Sequence, residues 1–188
     1  FLIAEVIRFG RFSQTSLAEP DLIALRQLCR YRFCLVDQIS DVKRKVICLL
    51  DQVFPEYETL FSDIFGVSSR TMLADFSTPE EFLAVDTEKL AAILARTSRG
   101  RLGLNQAHRI QDAARQSFGV KLGREALVFE LRQLVAQISF LEEQLAALGD
   151  QISQYYDRFP CMLHTVPGIG KILAAAILSE IGDATRFS

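Results

Sequence analysis

The sequence predicts an all-α protein: two long antiparallel coiled-coil helices, a small helical insertion at their tip and a C-terminal helix-hairpin-helix. Three observations lead there. Two segments repeat apolar residues at alternating steps of three and four, which is the spacing of one helix face. Gly and Pro together make up only 15 of the 188 residues, so helix breakers are few. Near the C-terminus a glycine turn, Pro167-Gly168-Ile169-Gly170, interrupts an otherwise apolar run.

The first long helix is predicted over Pro20–Phe54. Leu25, Arg32, Ile39, Val46 and Val53 recur every seven residues, with Leu28, Leu35, Val42 and Leu49 offset by three. Eight of these nine positions are apolar, as in the a/d seam of a coiled coil. Leu22, Cys29, Val36 and Leu50 widen the face to one flank. Glu19-Pro20-Asp21 is a start signal and Pro55 a stop. Arg32 is costly at a dry seam position; it sets register or reaches toward a partner.

The second long helix is predicted over Gly123–Tyr156. Leu127, Leu131, Leu134, Ile138, Leu141, Leu145, Leu148, Ile152 and Tyr155 are all apolar at steps of four and three. Gly149 sits inside and costs about 1 kcal/mol relative to Ala. Leu28, Leu35, Val42, Leu131, Leu134, Ile138, Leu141 and Leu145 form the expected oligomer seam, although the same heptads also suit an ordinary long-helix core.

Between them the pattern is helical but broken. Leu60 to Phe65 reads as a helix ending at Gly66, and Thr78-Pro79-Glu80-Glu81 as a strong start capped by Ser77 or Thr78. Thr87–Ala95 and Gln106–Phe118 read as short helices closed by Gly100 and Gly119.

Leu163 to Asp183 reads as a short helix, the P-G-I-G turn, and a second helix burying Ile172, Leu173, Ala176, Ile177 and Ile181. Gly168 and Gly170 leave backbone N–H groups open. With the positive helix start at Lys171 they make an anion site suited to DNA phosphates. The same glycines also fit a turn that only brings two helices close. Ser179-Glu180 reads as a surface pair.

Charge is segregated. Arg96, Arg99, Arg101, Arg109, Arg115, Lys121 and Arg124 face a single anion, Asp112, in that stretch. Such a run is either a solvated face or a phosphate-contacting surface. The first long helix adds Arg26, Arg30, Arg32, Lys43, Arg44 and Lys45. The overall charge is −2 with an isoelectric point of 5.8, so any nucleic-acid site must be local.

The composition is that of a folded chain, 49% nonpolar and 23% charged. Four cysteines without a C-x-x-C pair argue against zinc and for a reducing, cytoplasmic compartment. No apolar run is long enough to span a membrane. His108 and His164 lack a carboxylate or nucleophile partner in the pattern, and no carboxylate pair can be placed on one site. The chain opens without Met and reads as a fragment of a longer protein.

Val166 to Phe187, V-P-G-I-G-K-I-L-A-A-A-I-L-S-E-I-G-D-A-T-R-F, resembles the start of the C-terminal domain of one family of bacterial insertion-sequence transposases. This is the IS-one-ten group, the RNA-guided bridge recombinases, which join a RuvC-like DEDD domain to a serine domain. Members carry K-T-D-x-x-D-A followed by x-x-I-A-x-x-I-R-x-G-R-F. Ile3-Ala4, Ile7-Arg8 and Gly10-Arg11-Phe12 match the second half of that pattern. Leu25-Arg26, Leu28 and Arg30-Tyr31-Arg32 resemble the start of the family's coiled coil.

The resemblance implies residues 1–18 as the tail of the RuvC-like domain. It implies 19–156 as a coiled-coil connector with an insertion at 55–121, and 157–188 as the start of the serine domain. It implies a DNA transposase whose carboxylates bind magnesium and whose serine attacks DNA. DNA, a structured non-coding guide RNA and further copies of the chain are the implied partners, in a bacterial cytoplasm and without a membrane. Both catalytic sets are expected outside this sequence, since Ser188 matches a neighbourhood of the family that is not the nucleophile. No catalytic residue, metal ligand or cofactor is therefore assigned to the chain. Gly168, Gly170, Lys171, Arg96, Arg99, Arg101, Arg109 and Arg115 are the expected nucleic-acid contacts. A DNA-binding adaptor or a structural coiled-coil dimeriser is the rival reading.

Overall fold

The computed structural model describes residues 2–10 and 19–182, and every regular element among them is helical. The helices are α1 (Leu2–Arg8), α2 (Pro20–Val53), α3 (Val67–Asp75), α4 (Pro79–Ala84), α5 (Thr87–Thr97), α6 (Leu104–Gln116), α7 (Arg124–Tyr156) and α8 (Lys171–Ile181). Arg11, Phe12 and Asp183 to Ser188, which carry part of the family resemblance, lie outside the described residues. The chain divides into two compact units, one of Phe1–Phe33 with Ala147–Ser188, the other of Cys34–Ala146.

In the Cys34–Ala146 unit, Lys43 Nζ lies 3.2 Å from Glu142. The Val120 amide donates to the Gln52 carbonyl at 2.7 Å. Rising numbers on α2 thus meet falling numbers toward α7, so the two segments run antiparallel here. Leu35, Ile39, Val42, Val46, Leu49, Leu50 and Val53 are buried, as the α2 heptad predicts. On α7 the stripe differs from the expected one. Val128, Leu131, Val135, Ile138 and Leu141 are buried, while Leu127 and Leu134 are only half-buried. A straight helix drifts about 20° per heptad from a seven-residue seam. The insertion also covers a flank of α7: Arg70 of α3 bonds Glu142, and Arg132 bonds Glu81 and Ser77.

The insertion starts differently from the prediction. Pro55–Leu60 forms a 3₁₀ helix, residues 61–66 are non-helical, and α3 follows where no helix was expected. Pro55 presets the first turn, and burial of Tyr57 and Leu60 holds it. The Asp63 carboxylate accepts the Phe65 amide at 2.9 Å, a local turn that competes with helix. The start at α4 is as expected, with Thr78 as the cap: its hydroxyl accepts the Glu81 amide, and Glu81 reaches back to the Thr78 amide. Phe54, Tyr57 and Phe82 are fully buried with ring centroids 5.7–6.1 Å apart, and Phe76 joins at 5.6 Å from Phe82. The Tyr57 hydroxyl donates to the Ser69 carbonyl, and burial pushes its pKa well up. Gly119 passes so close to the end of α2 that a Cβ there would meet the Val53 carbonyl oxygen at 2.1 Å.

The other unit packs by close approach. Leu22, Leu25 and Cys29 are buried, as are Leu148, Ile152 and Tyr156, together with Ala174, Ala175 and Ser179 of α8. Leu173 and Ile181, expected on the buried side of α8, are exposed instead. The buried side is the one with the smallest residues, which lets backbones come near. Ser179 is not a surface residue: it is fully buried, its hydroxyl donates to the Ala176 carbonyl, and its own carbonyl accepts Arg26 Nε at 2.6 Å. Gly149 is accommodated without a clash, since a Cβ there would lie 3.9 Å from Ile172 Cδ1.

Candidate nucleic-acid interface

The hairpin lies in the unit that contains α8. Leu163–Thr165 is a single 3₁₀ turn, shorter than the α-helix expected to enter the hairpin. Only a few residues separate Pro160 from Pro167, and a residue preceding proline disfavours helix. Gly168 has φ +88°, which favours glycine. Gly170, the N-cap of α8, has φ −76°, and a Cβ there would touch nothing within 4 Å. Among the described residues, the amides of Gly168, Gly170 and Lys171 find no acceptor. Lys171 Nζ meets both carboxylate oxygens of Asp157 at 2.8 and 2.9 Å, with both side chains about half exposed. That carboxylate partner was not legible in the sequence. His164 has a partner too: its Nδ1 lies 3.2 Å from the Tyr156 hydroxyl, which also reaches the Cys161 carbonyl at 3.1 Å.

The basic stretch lies in the other unit. Arg96, Arg99, Arg101, Arg109 and Arg115 are all exposed. Arg115 is paired with Asp112 and Arg124 with Glu80, whose carboxyl this contact holds below the usual range. Arg101 and Arg109 bond only neutral groups: Arg101 the Ser98 carbonyl, Arg109 the Gln106 side chain and the Thr59 carbonyl. Arg96, Arg99 and Lys121 have no partner among the described residues. Five of the seven cations therefore make no ion pair among the described residues, although Lys121 lies near enough to Glu80 to help hold its carboxyl down.

The cations on α2 are mostly engaged. Arg30 grips Glu180 with two bonds of 2.8 and 3.0 Å, Lys43 holds Glu142, and Arg44 holds Asp41. The Arg30 contact holds the Glu180 carboxyl below its usual pKa. The expected seam is largely consumed inside the chain. Leu35, Val42, Leu131, Ile138 and Leu141 are buried, and Leu28, Leu134 and Leu145 are half-buried. Among the described residues, no group of three or more His, Cys, Asp or Glu could hold a metal ion. No helix there is long and apolar enough to cross a membrane.

Comparison with known proteins addresses the two ends. Residues 1–55 match the DEDD-type IS110 family described as "Transposase", and residues 161–188 match "Transposase IS116/IS110/IS902 family". Both ends are thus similar to IS110-type transposases. A curated relative, "Mini-circle putative transposase for IS117" from Streptomyces coelicolor, is 26% identical across the whole chain. The chain spans about half, 48%, of that relative's length. The basic stretch and the insertion fall between the two IS110-type segments.

Proposed function

We propose that this chain is the helical connector of a DNA transposase that mobilises an insertion sequence. It holds DNA and a structured guide RNA by their phosphates and contributes to self-association, while sequence outside the chain supplies the catalytic carboxylates and serine. The observation that carries this reading is the exposed basic stretch, most of whose cations make no ion pair, lying between two ends similar to IS110-type transposases. In this reading residues 1–18 close a RuvC-like domain, 19–156 form the coiled-coil connector with its insertion at 55–121, and 157–188 open the serine domain with the glycine turn that leads into α8. The donor set among the described residues does not fit magnesium, so no metal step is assigned to this chain. Self-association would use Leu28, Leu134 and Leu145, which stay partly accessible, and the exposed Phe129 and Phe140 of α7.

Neither the glycine turn nor the tip arginines are arranged to read base edges, so binding is backbone-directed. The test is duplex binding across a salt series. Lys171→Ala, and separately Arg99→Ala with Arg101→Ala, should weaken binding equally on unrelated sequences and flatten the slope of log affinity against log salt by about one unit per lost contact. Unchanged affinity and slope would overturn the assignment. DNA binding without any shift of a structured RNA would favour the adaptor reading.

A further inference from the structure

A cleft of about 590 Å³ opens in the Cys34–Ala146 unit, lined by Phe61, Asp63, Ser68, Arg99 and Arg101 among others. We infer that it seats a single unpaired nucleotide: phosphate on the two arginines, base against Phe61, and an exocyclic amino group of the base on Asp63. The inference rests on the nucleic-acid reading above and adds a ligand of a different kind, because stacked bases of a duplex cannot enter a cleft whereas a splayed-out base can.

Four observations converge. The volume is that of a site for a small organic molecule. Arg99 has no partner among the described residues, and Arg101 spends only Nε, on the Ser98 carbonyl at 3.3 Å. Both guanidinium groups can therefore still meet phosphate. Phe61 is half-buried, and its ring is braced 5.3 Å from that of Tyr57, a firm stacking surface rather than a loose one.

Asp63 decides between ligands. Its Oδ1 is fixed by the Phe65 amide at 2.9 Å, and Oδ2 has no partner among the described residues. A carboxylate repels a bare polyanion but accepts from an N–H donor. The cleft therefore suits a ligand that brings a phosphate and an amino group together. Adenine, cytosine and guanine nucleotides do so, and uracil and thymine nucleotides, which have no exocyclic amino group, do not. The first-turn amides of α3 and the hydroxyls of Ser62 and Ser68 add donors to the lining.

The test is fluorescence anisotropy on the intact chain with labelled hexamers of rC, rA, rU and dC, a hexamer abasic at every position, and a mixed-sequence duplex. The rC and rA hexamers should bind severalfold tighter than rU and than the abasic strand. Comparison of rC with dC separates an RNA source from a DNA source. Phe61→Leu should weaken single-strand binding about tenfold and leave the duplex unchanged. Asp63→Asn should erase the preference for rC over rU. Arg99→Ala with Arg101→Ala, on exposed positions that leave folding intact, should weaken every single strand. Equal binding of the abasic strand, or single-strand affinity indifferent to Phe61→Leu and to the arginine pair, would overturn the inference while duplex binding persists. Loss of duplex binding to wild-type protein would instead overturn the reading beneath it.

Discussion

The two units are packed by different means. The Cys34–Ala146 unit is filled by large side chains, with Phe54, Tyr57 and Phe82 fully buried and in mutual ring contact. The unit containing α8 also buries Leu25, Ile152 and Tyr156, but α8 itself buries small residues, Ala174, Ala175 and Ser179, and is tied at its end by Arg26 and Arg30. Bulk fills space and tolerates some repacking. Close approach leaves no space to fill, so its tolerance for added volume is low.

The largest expected effect is in the aromatic cluster. Phe82→Ala should cost about 3–5 kcal/mol by chemical denaturation, since it leaves a cavity beside three other rings; a loss well under 1 kcal/mol would show that the cluster collapses freely. Next is the reverse experiment on α8. Ala174→Leu should cost about 1–3 kcal/mol through overpacking. A neutral result would mean that α8 can withdraw from its neighbours.

These two residues also show what a sequence makes legible. Phe82 follows a capping box and sits in a short helix whose existence, start and cap could all be read from T-P-E-E. On α2 the Glu19-Pro20-Asp21 start and the Pro55 stop predict the ends, and the apolar heptad predicts most of the buried face, with Leu28 and Arg32 only half-buried. On α8 hydrophobic size and burial part company: Leu173 and Ile181 are the larger residues, yet Ala174 and Ser179 are the buried ones. The usable signal was Ala175 and Ser179, small residues one helical turn apart. Helix α3 escaped notice because V-S-S-R-T-M-L-A-D has no clear apolar period, with buried Ser69 next to Met72 and Leu73. The cleft residues Phe61 and Asp63 are not legible because the apolar pattern of their segment suits a helix, whereas the Asp63 turn makes it a loop. Asp157 escaped because its partner Lys171 is brought to it only by the fold.

Smaller effects sharpen the contrast. Gly149→Ala should stabilise by up to about 1 kcal/mol in a thermal melt, because the added methyl meets Ile172 at ordinary contact distance and helix propensity rises. Destabilisation would mean that α7 and α8 approach more closely than 3.9 Å implies. The smallest effect is electrostatic. Glu180 is held below the ordinary carboxylate value, mainly by its hydrogen bond to Arg30. Its contribution is present above the unfolded value of about 4.3 and is lost as pH falls through the lower folded value. Glu180→Gln should therefore reduce the acid sensitivity of the melting temperature. Glu80→Gln should do the same through Arg124 in the other unit. Identical acid profiles for the variants and the parent would remove both pairs from the stability account.

The two hairpin glycines are unequal in a way that makes them a genetic instrument. Position 168 is demanded by its left-handed backbone, so a substitution there tests folding. Position 170 has an ordinary backbone conformation and empty space where a side chain would go. Only its place as the N-cap of α8 favours glycine over alanine there, a small effect on the helix start. A methyl group at 170 would stand in the way of something arriving from outside, so Gly170→Ala separates docking from folding: weaker duplex binding by a variant whose melting temperature is nearly that of the parent would report on docking.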